Sequence, residues 1–166
     1  ILPAFGVTVA DFEALRAHGC VMVETTCGSV LNVWKRVEAY ARDGFTALIH
    51  GKYYHEETRA TASQVLKYPG GRYLVVRDMA EAEAVCAYVE ASGRGDVSAE
   101  QRSDLLARFA TAVSPGFDPD VDLRSIGVGL DHGECRNPLG MPVGRRQTSA
   151  NQKTKAVLHQ AVTHEA

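Results

Sequence analysis

The sequence predicts an α/β protein, a parallel sheet with helices on both faces. Two observations predict it. Short apolar runs alternate with stretches of helical period through about residue 92, and that alternation is the signature of strands joined by crossover helices. The helical stretches also open at side chains able to cap them.

The elements follow in order. Ile1-Leu2-Pro3-Ala4 reads as the end of a strand, with the natural start of the chain expected upstream. Thr8, with Asp11 three places on as capping-box partner, opens a short helix to His18. Val21-Met22-Val23 is a buried-strand candidate. From Ser29 to Asp43 the apolar residues Val30, Val33, Trp34, Val37, Tyr40 and Ala41 keep the spacing of one helical face, and Gly44 supplies the stop. Thr46 to Ile49 is the next strand, Gly51 a turn, and Glu56 to about Lys67 a helix. Tyr68-Pro69-Gly70-Gly71 is a turn and Tyr73 to Val76 a strand. Asp78 with Glu81 opens a helix to Ser92 that Gly93 ends, and Ser98 with Gln101 opens another to about Val113. Residues 1–113 are thus expected as one lobe, 114–130 as a linker and the start of the next, and 131–166 as a disordered tail with one weak helix near Lys155 to Val162. In the tail apolar content falls, and Gly, Pro, Arg and Gln intersperse without a period.

Composition narrows the function classes. The 166 residues are 45% hydrophobic and 23% charged with a formal net charge of −2. No global basic field points to nucleic acid, and no apolar run approaches the ~18 residues of a membrane span. No basic segment followed by an apolar stretch suggests a signal peptide. The cysteines, Cys20, Cys27, Cys86 and Cys135, include no C-x-x-C pair. A self-contained zinc or redox site and a secreted disulfide scaffold are therefore both disfavoured, and a reduced cytosolic setting fits better.

In parallel sheets ligands gather beyond the carboxyl ends of the strands. That rule selects two loops, Glu24 to Ser29 and His50 to Glu57. Cys27 falls between a strand and a helix start, where backbone N–H groups favour the thiolate that iron or zinc binds; the alternative is a small cysteine packed at a strand end. Cys86 shares a helical face with Met79, Ala82, Val85 and Val89 and is expected in the core, as is Cys20. The run from His50 to Thr58 gathers imidazole, lysine and free helix N–H groups, which suit a phosphate. Glu56 and Glu57 suit the helix dipole with or without a function. Gly51-Lys52 is not a phosphate loop of the Walker type, and Gly127-Val128-Gly129 stands alone. Asp118-Pro119-Asp120-Val121-Asp122 lacks the glycine and terminal glutamate of a calcium loop and reads as a solvated acidic loop.

At these two loops the chain resembles a known family. Val23-Glu24-Thr25-Thr26-Cys27-Gly28-Ser29-Val30 with Trp34, and Leu48 to Thr58 with Ala60 to Ser63, are similar to segments of the 4-hydroxy-3-methylbut-2-enyl diphosphate reductase (LytB) family in its plant and cyanobacterial version. Leu2 to Val7, including Phe5, and Gly116 to Asp120 match that version too, so the similarity spans roughly residues 1–128. The resemblance implies three α/β lobes in pseudo-threefold arrangement around a [4Fe–4S] cluster held by one cysteine per lobe. It implies reductive removal of an allylic hydroxyl, giving isopentenyl and dimethylallyl diphosphate, with ferredoxin or flavodoxin as electron donor. Carried over residue by residue, Cys27 matches the middle cluster ligand, His55 a histidine contacting the substrate diphosphate, and Glu57 the glutamate that relays a proton.

Neither the first nor the third cluster-cysteine segment of the family occurs here. Beyond Ile126-Gly127-Val128 the match stops, as though a truncated chain carried a foreign or frame-shifted tail. With one of three cluster cysteines, the chain alone is expected to be inactive. The alternatives are a non-catalytic α/β domain binding a diphosphate or other anion, and a fragment unable to fold. The expected location is the cytoplasm, or the plastid stroma for a plant source.

Overall fold

The structure, a computed structural model, describes residues 1–124 and 126–129. The proposed tail over 131–166, its helix near Lys155 and Cys135 lie outside the described residues. The sheet has three parallel strands in the order β2-β1-β3: β1 (Thr46–His50), β2 (Arg72–Val76) and β3 (Ile126–Gly129). Leu48 of β1 pairs with Leu74 on one side and Val128 on the other. Successive strand residues point to opposite faces. Thr46, Ala47, Leu48 and Ile49 are all buried, so both faces of the sheet are covered. This is why β1 reads as a continuous apolar run rather than an alternating one.

The helices are α1 (Val9–Ala17), α2 (Gly28–Arg42), α3 (Glu56–Val65), α4 (Met79–Arg94), α5 (Ala99–Arg108) and α6 (Pro119–Asp122). α1, α4, α5 and α6 start at side chains that cap them. The Thr8, Asp78 and Ser98 side chains each accept a hydrogen bond from the backbone N–H three residues on, and Ser98 with Gln101 forms the full reciprocal box. α3, on the way from β1 to β2, packs on both strands and on α1 and α2, whereas α4, on the way from β2 back across to β3, packs on β2 and α5. The core joins Val37 and Ala41 of α2, Val65 of α3, Val85, Cys86 and Val89 of α4, Leu105 and Phe109 to the strands.

Several expectations need correction. Val21-Met22-Val23 is not a strand, and neither is Ile1 to Ala4. The two stretches run side by side instead: Leu2 N–H donates to the Val23 carbonyl (2.9 Å), and Cys27 N–H to that of Ala4 (2.7 Å). The Thr25 hydroxyl also donates to the Leu2 carbonyl. No third segment among the described residues extends this pair, and Val21 is 95% exposed. Cys20 is exposed for the same reason rather than buried, whereas Cys86 is in the core as expected.

α4 runs through Gly93 and stops at Gly95, which takes the left-handed conformation (φ 78°) of a helix terminator. α5 ends at Arg108, short of Val113. The chain leaves the helix because residues 112–114 cover the open edge of β2. Val75 N–H donates to the Ala112 carbonyl (2.7 Å), Ser114 N–H to the Tyr73 carbonyl (3.0 Å), and Tyr73 N–H to the Ser114 hydroxyl (3.2 Å). β3, within the stretch expected as a linker and the start of the next lobe, pairs with β1.

The acidic run 118–122 is not a solvated loop. Asp118 caps α6, and Arg102 spans Asp118 (3.0 Å) and Asp120 (2.8 Å). The Tyr88 hydroxyl donates to Asp120 (2.5 Å), and Asp122 faces Arg72 (3.6 Å). The Arg102 hydrogen bond, helped by the Asp120 N–H, holds the Asp118 carboxyl below the usual carboxylate range. The Glu81 N–H does the same for Asp78. A depressed folded-state pKa means that the unfolded chain binds more protons near pH 4, so this stability is complete above the unfolded value and lost as pH falls through the folded one. Thermal melts are therefore expected to weaken below about pH 4, with a shallower fall for Asp118→Asn than for the parent chain.

Candidate functional site

β1 fixes where the site residues stand. α2 ends just before Thr46 and α3 begins just after His50. α2 packs against β1, β3 and α3, and both helices therefore run antiparallel to the strands, with their starts at the carboxyl edge of the sheet. The Trp34 indole N–H donates to the Thr61 hydroxyl (3.2 Å), joining the second turn of α2 to the second turn of α3. The two helix starts consequently lie at the same edge of the sheet.

Cys27 occupies the N-cap of α2, and its side chain makes no capping bond. It is exposed, and a methyl group added at Gly28 would meet nothing within 4 Å. The turn at Phe5-Gly6 seats against the same place. A Cβ on Gly6 (φ 78°) would lie 2.3 Å from the Trp34 ring and 3.6 Å from the Thr26 methyl, so only glycine lets the turn approach this closely.

His55 is the exposed N-cap of α3, again without a side-chain capping bond, and Glu56 and Glu57 fill the first turn. Leading in, Gly51 N–H donates to the Val76 carbonyl at the end of β2 (2.9 Å), and His55 N–H to the Lys52 carbonyl (2.8 Å). Gly51 is a residue whose role the sequence reading reduced to a turn. A Cβ there would lie 2.5 Å from the buried Thr58 hydroxyl, so the glycine lets the loop close onto the first turn of α3. Glu56 pairs with Arg59 (3.0 Å) and points along its own helix, while Glu57 is half-buried.

A separate cleft of about 150 Å³ lies on another flank of α3, lined among others by Tyr53, Thr58, Arg59, Ser63, Tyr73 and Thr111. It includes none of Cys27, His55 and Glu57.

The family model described as LytB protein matches residues 1–110. The chain belongs to the LytB family. Curated LytB relatives include the 4-hydroxy-3-methylbut-2-enyl diphosphate reductases of Synechococcus sp. (strain RCC307), 49% identical over 128 residues, and of Acaryochloris marina (strain MBIC 11017), 45% identical over 129 residues. Each match takes in 77% of this chain, but the chain spans only 29% and 30% of those relatives' lengths. A solved structure titled as (E)-4-hydroxy-3-methyl-but-2-enyl diphosphate reductase, the terminal enzyme of the non-mevalonate pathway, aligns with a TM-score of 0.48 at 18% identity, over 75% of this chain and 41% of that one.

Cys27 offers one thiol donor at the N-cap of α2. Among the described residues no three or more His, Cys, Asp or Glu are grouped to hold a metal ion.

Proposed function

We propose that this chain is the part of a LytB-type reductase that supplies one cluster thiolate and the diphosphate-binding segment. One juxtaposition carries the reading: Cys27 starts α2, His55 and Glu57 start α3, and the two packed helices open at the same edge of the sheet. The reaction is reductive dehydroxylation of 4-hydroxy-3-methylbut-2-enyl diphosphate to isopentenyl and dimethylallyl diphosphate, consuming two electrons and two protons. The electrons come from a ferredoxin or flavodoxin, and the setting is a reducing compartment, cytoplasm or plastid stroma.

Cys27 would be one of three thiolate ligands of a [4Fe–4S] cluster, which when bound supplies the electrons and an open iron for the hydroxyl oxygen. The other roles belong to side chains and backbone of this chain. The diphosphate sits on the unbonded N–H groups at the start of α3, where the helix dipole favours an anion, and His55 donates to one of its oxygens. Glu57, one residue further along, holds the proton delivered to the leaving hydroxyl or the allyl carbon. A half-buried position suits that role, because it limits exchange of the proton with solvent.

Because one thiolate does not hold a cluster, the 166-residue chain alone should show no turnover after anaerobic reconstitution, and measurable reductase activity from it would overturn the reading. Residues 1–128 placed in the Synechococcus RCC307 relative, in exchange for its matched segment, should restore both cluster absorbance and activity, and Cys27→Ser should remove both. In that chimera His55→Ala is expected to weaken diphosphate binding by ~10–100-fold, the worth of one hydrogen bond to a charged group, read as a rise in the product inhibition constant.

A second reading, an α/β domain that binds an anion without a cluster, is favoured by the α3 start alone, which offers N–H groups and an imidazole whatever Cys27 does. Titrating inorganic diphosphate into the Cys27→Ser chain separates the two. Tight binding without bound iron, together with an inactive chimera, selects the module.

A further inference from the structure

Trp34 and Thr61 stand beneath the two helix starts. Trp34 comes seven residues after Cys27, so two helical turns bring it back to the same face of α2. Thr61 comes four residues after Glu57 and shares its face of α3. At the helical rise, Trp34 lies about 10 Å below Cys27 and Thr61 about 6 Å below Glu57. A long helical side chain leans back over the turn before it, which offsets the difference and lets the indole N–H reach the Thr61 hydroxyl (3.2 Å).

This bond fixes more than contact. Thr61 is 3% exposed, and an indole N–H can only donate, so an apolar residue at 61 would remove the acceptor it has. Apolar packing alone tolerates sliding of one helix along the other, whereas a directional hydrogen bond selects one register.

The far edge of the same indole is tied to Cys27. The turn at Gly6 rests on it: a Cβ there would strike the Trp34 ring and touch the methyl of Thr26, the residue before Cys27. Gly6 N–H donates to the Pro3 carbonyl (2.9 Å), and Ala4, inside that turn, accepts from Cys27 N–H (2.7 Å). An unbroken run of contacts therefore leads from the Cys27 backbone through Ala4, Gly6 and Trp34 to the face of α3 that carries Glu57.

We infer that Trp34, bonded to Thr61, is a positioning residue that sets the separation of Cys27 from the Glu57 carboxyl, and with it the reach of that carboxyl to a substrate held beside the thiol. The consequence for turnover rests on the role proposed above for Glu57, but the separation itself does not.

Two measurements test this. The first needs no cluster. Spin labels are placed at Cys27 and Glu57→Cys in the 166-residue chain carrying Cys20→Ser and Cys135→Ser, while Cys86 is buried and stays unlabelled. The interlabel distance from electron paramagnetic resonance should be narrow in this chain and with Thr61→Ser added, which keeps the hydroxyl. With Trp34→Phe or Thr61→Val it should shift or become at least twice as broad. Coinciding distributions in all four would overturn the inference. If Trp34→Phe fails to fold, Thr61→Val decides, since it keeps the shape of the side chain.

The second is steady-state kinetics in the RCC307 chimera. Trp34→Phe and Thr61→Val should each lower kcat ~10–100-fold, the effect of a small misplacement of a reacting group, with KM near the parent value and Thr61→Ser restoring kcat. Added to Glu57→Gln, neither should lower kcat further, because residues acting through one group are not additive. Parental kcat in both variants, or the same fold-loss with and without Glu57, would overturn the inference. A chimera that assembles no cluster would instead count against the proposed reaction and leave the label distances to decide.

Discussion

Glu57→Gln in the chimera is expected to lower turnover by ~10²–10⁴-fold, the usual worth of a positioned proton donor, with little change in KM. The substitution keeps the volume and the hydrogen-bonding reach of the side chain but leaves no carboxyl proton to give. The competing explanation is that Glu57 merely complements the helix dipole, an effect of about 0.3–1 kcal/mol on stability. Glu56→Gln measures that alternative. Glu56 stands in the same turn but is exposed and paired with Arg59, so its loss should lower stability slightly and leave turnover intact. Equal turnover in the two variants would remove Glu57 from the chemistry.

Phe109→Ala should destabilise the chain by ~3–5 kcal/mol, the range for emptying a buried aromatic site. Phe109 is 1% exposed and heads the largest fully buried side chains. It also stands where α5 ends and the chain turns to cover β2, with the Ala112 N–H donating to its carbonyl (2.9 Å). The cavity cannot easily collapse, because residues 112–114 are tied to the strand by backbone hydrogen bonds on one side and α5 by its own ladder on the other. A domain of this size has ~5–15 kcal/mol in all, so the variant should melt on the order of 10 °C lower. Val121→Ala, at an exposed position, should melt with the parent.

Much of the fold could be read before any coordinates. The spacing of Val30, Val37 and Ala41 identified the buried face of α2, and Thr8, Asp78 and Ser98 marked helix starts that the structure keeps. These are local effects: a cap or a helical stripe depends on residues three or four places apart. The errors have a common character. Val21 to Val23 looked like a strand because its residues are right for one, but the hydrogen bonds that tie this stretch to residues 2–4 are too few to make a ladder. Gly93 looked like a stop, yet the left-handed turn fell to Gly95. Arg102 could not be assigned to Asp118 and Asp120, because only the packing of α5 on α6 brings them within reach.

For the site, the sequence by itself determined the residue types and their local posts: a cysteine and a histidine each immediately ahead of a helix, and two carboxylates in a first turn. Tertiary structure alone decided that those two helices run the same way, pack through Trp34 and Thr61, and open at one edge of the sheet. It also decided that Gly6 and Gly51 must lack side chains, since the atoms they would strike, the Trp34 ring and the Thr58 hydroxyl, are distant or helical neighbours in the chain. The reason is physical. Caps and periodicity act over a few residues, whereas the meeting of α2 with α3 is set by how β1 threads between them and by the burial of apolar surface that no short segment contains.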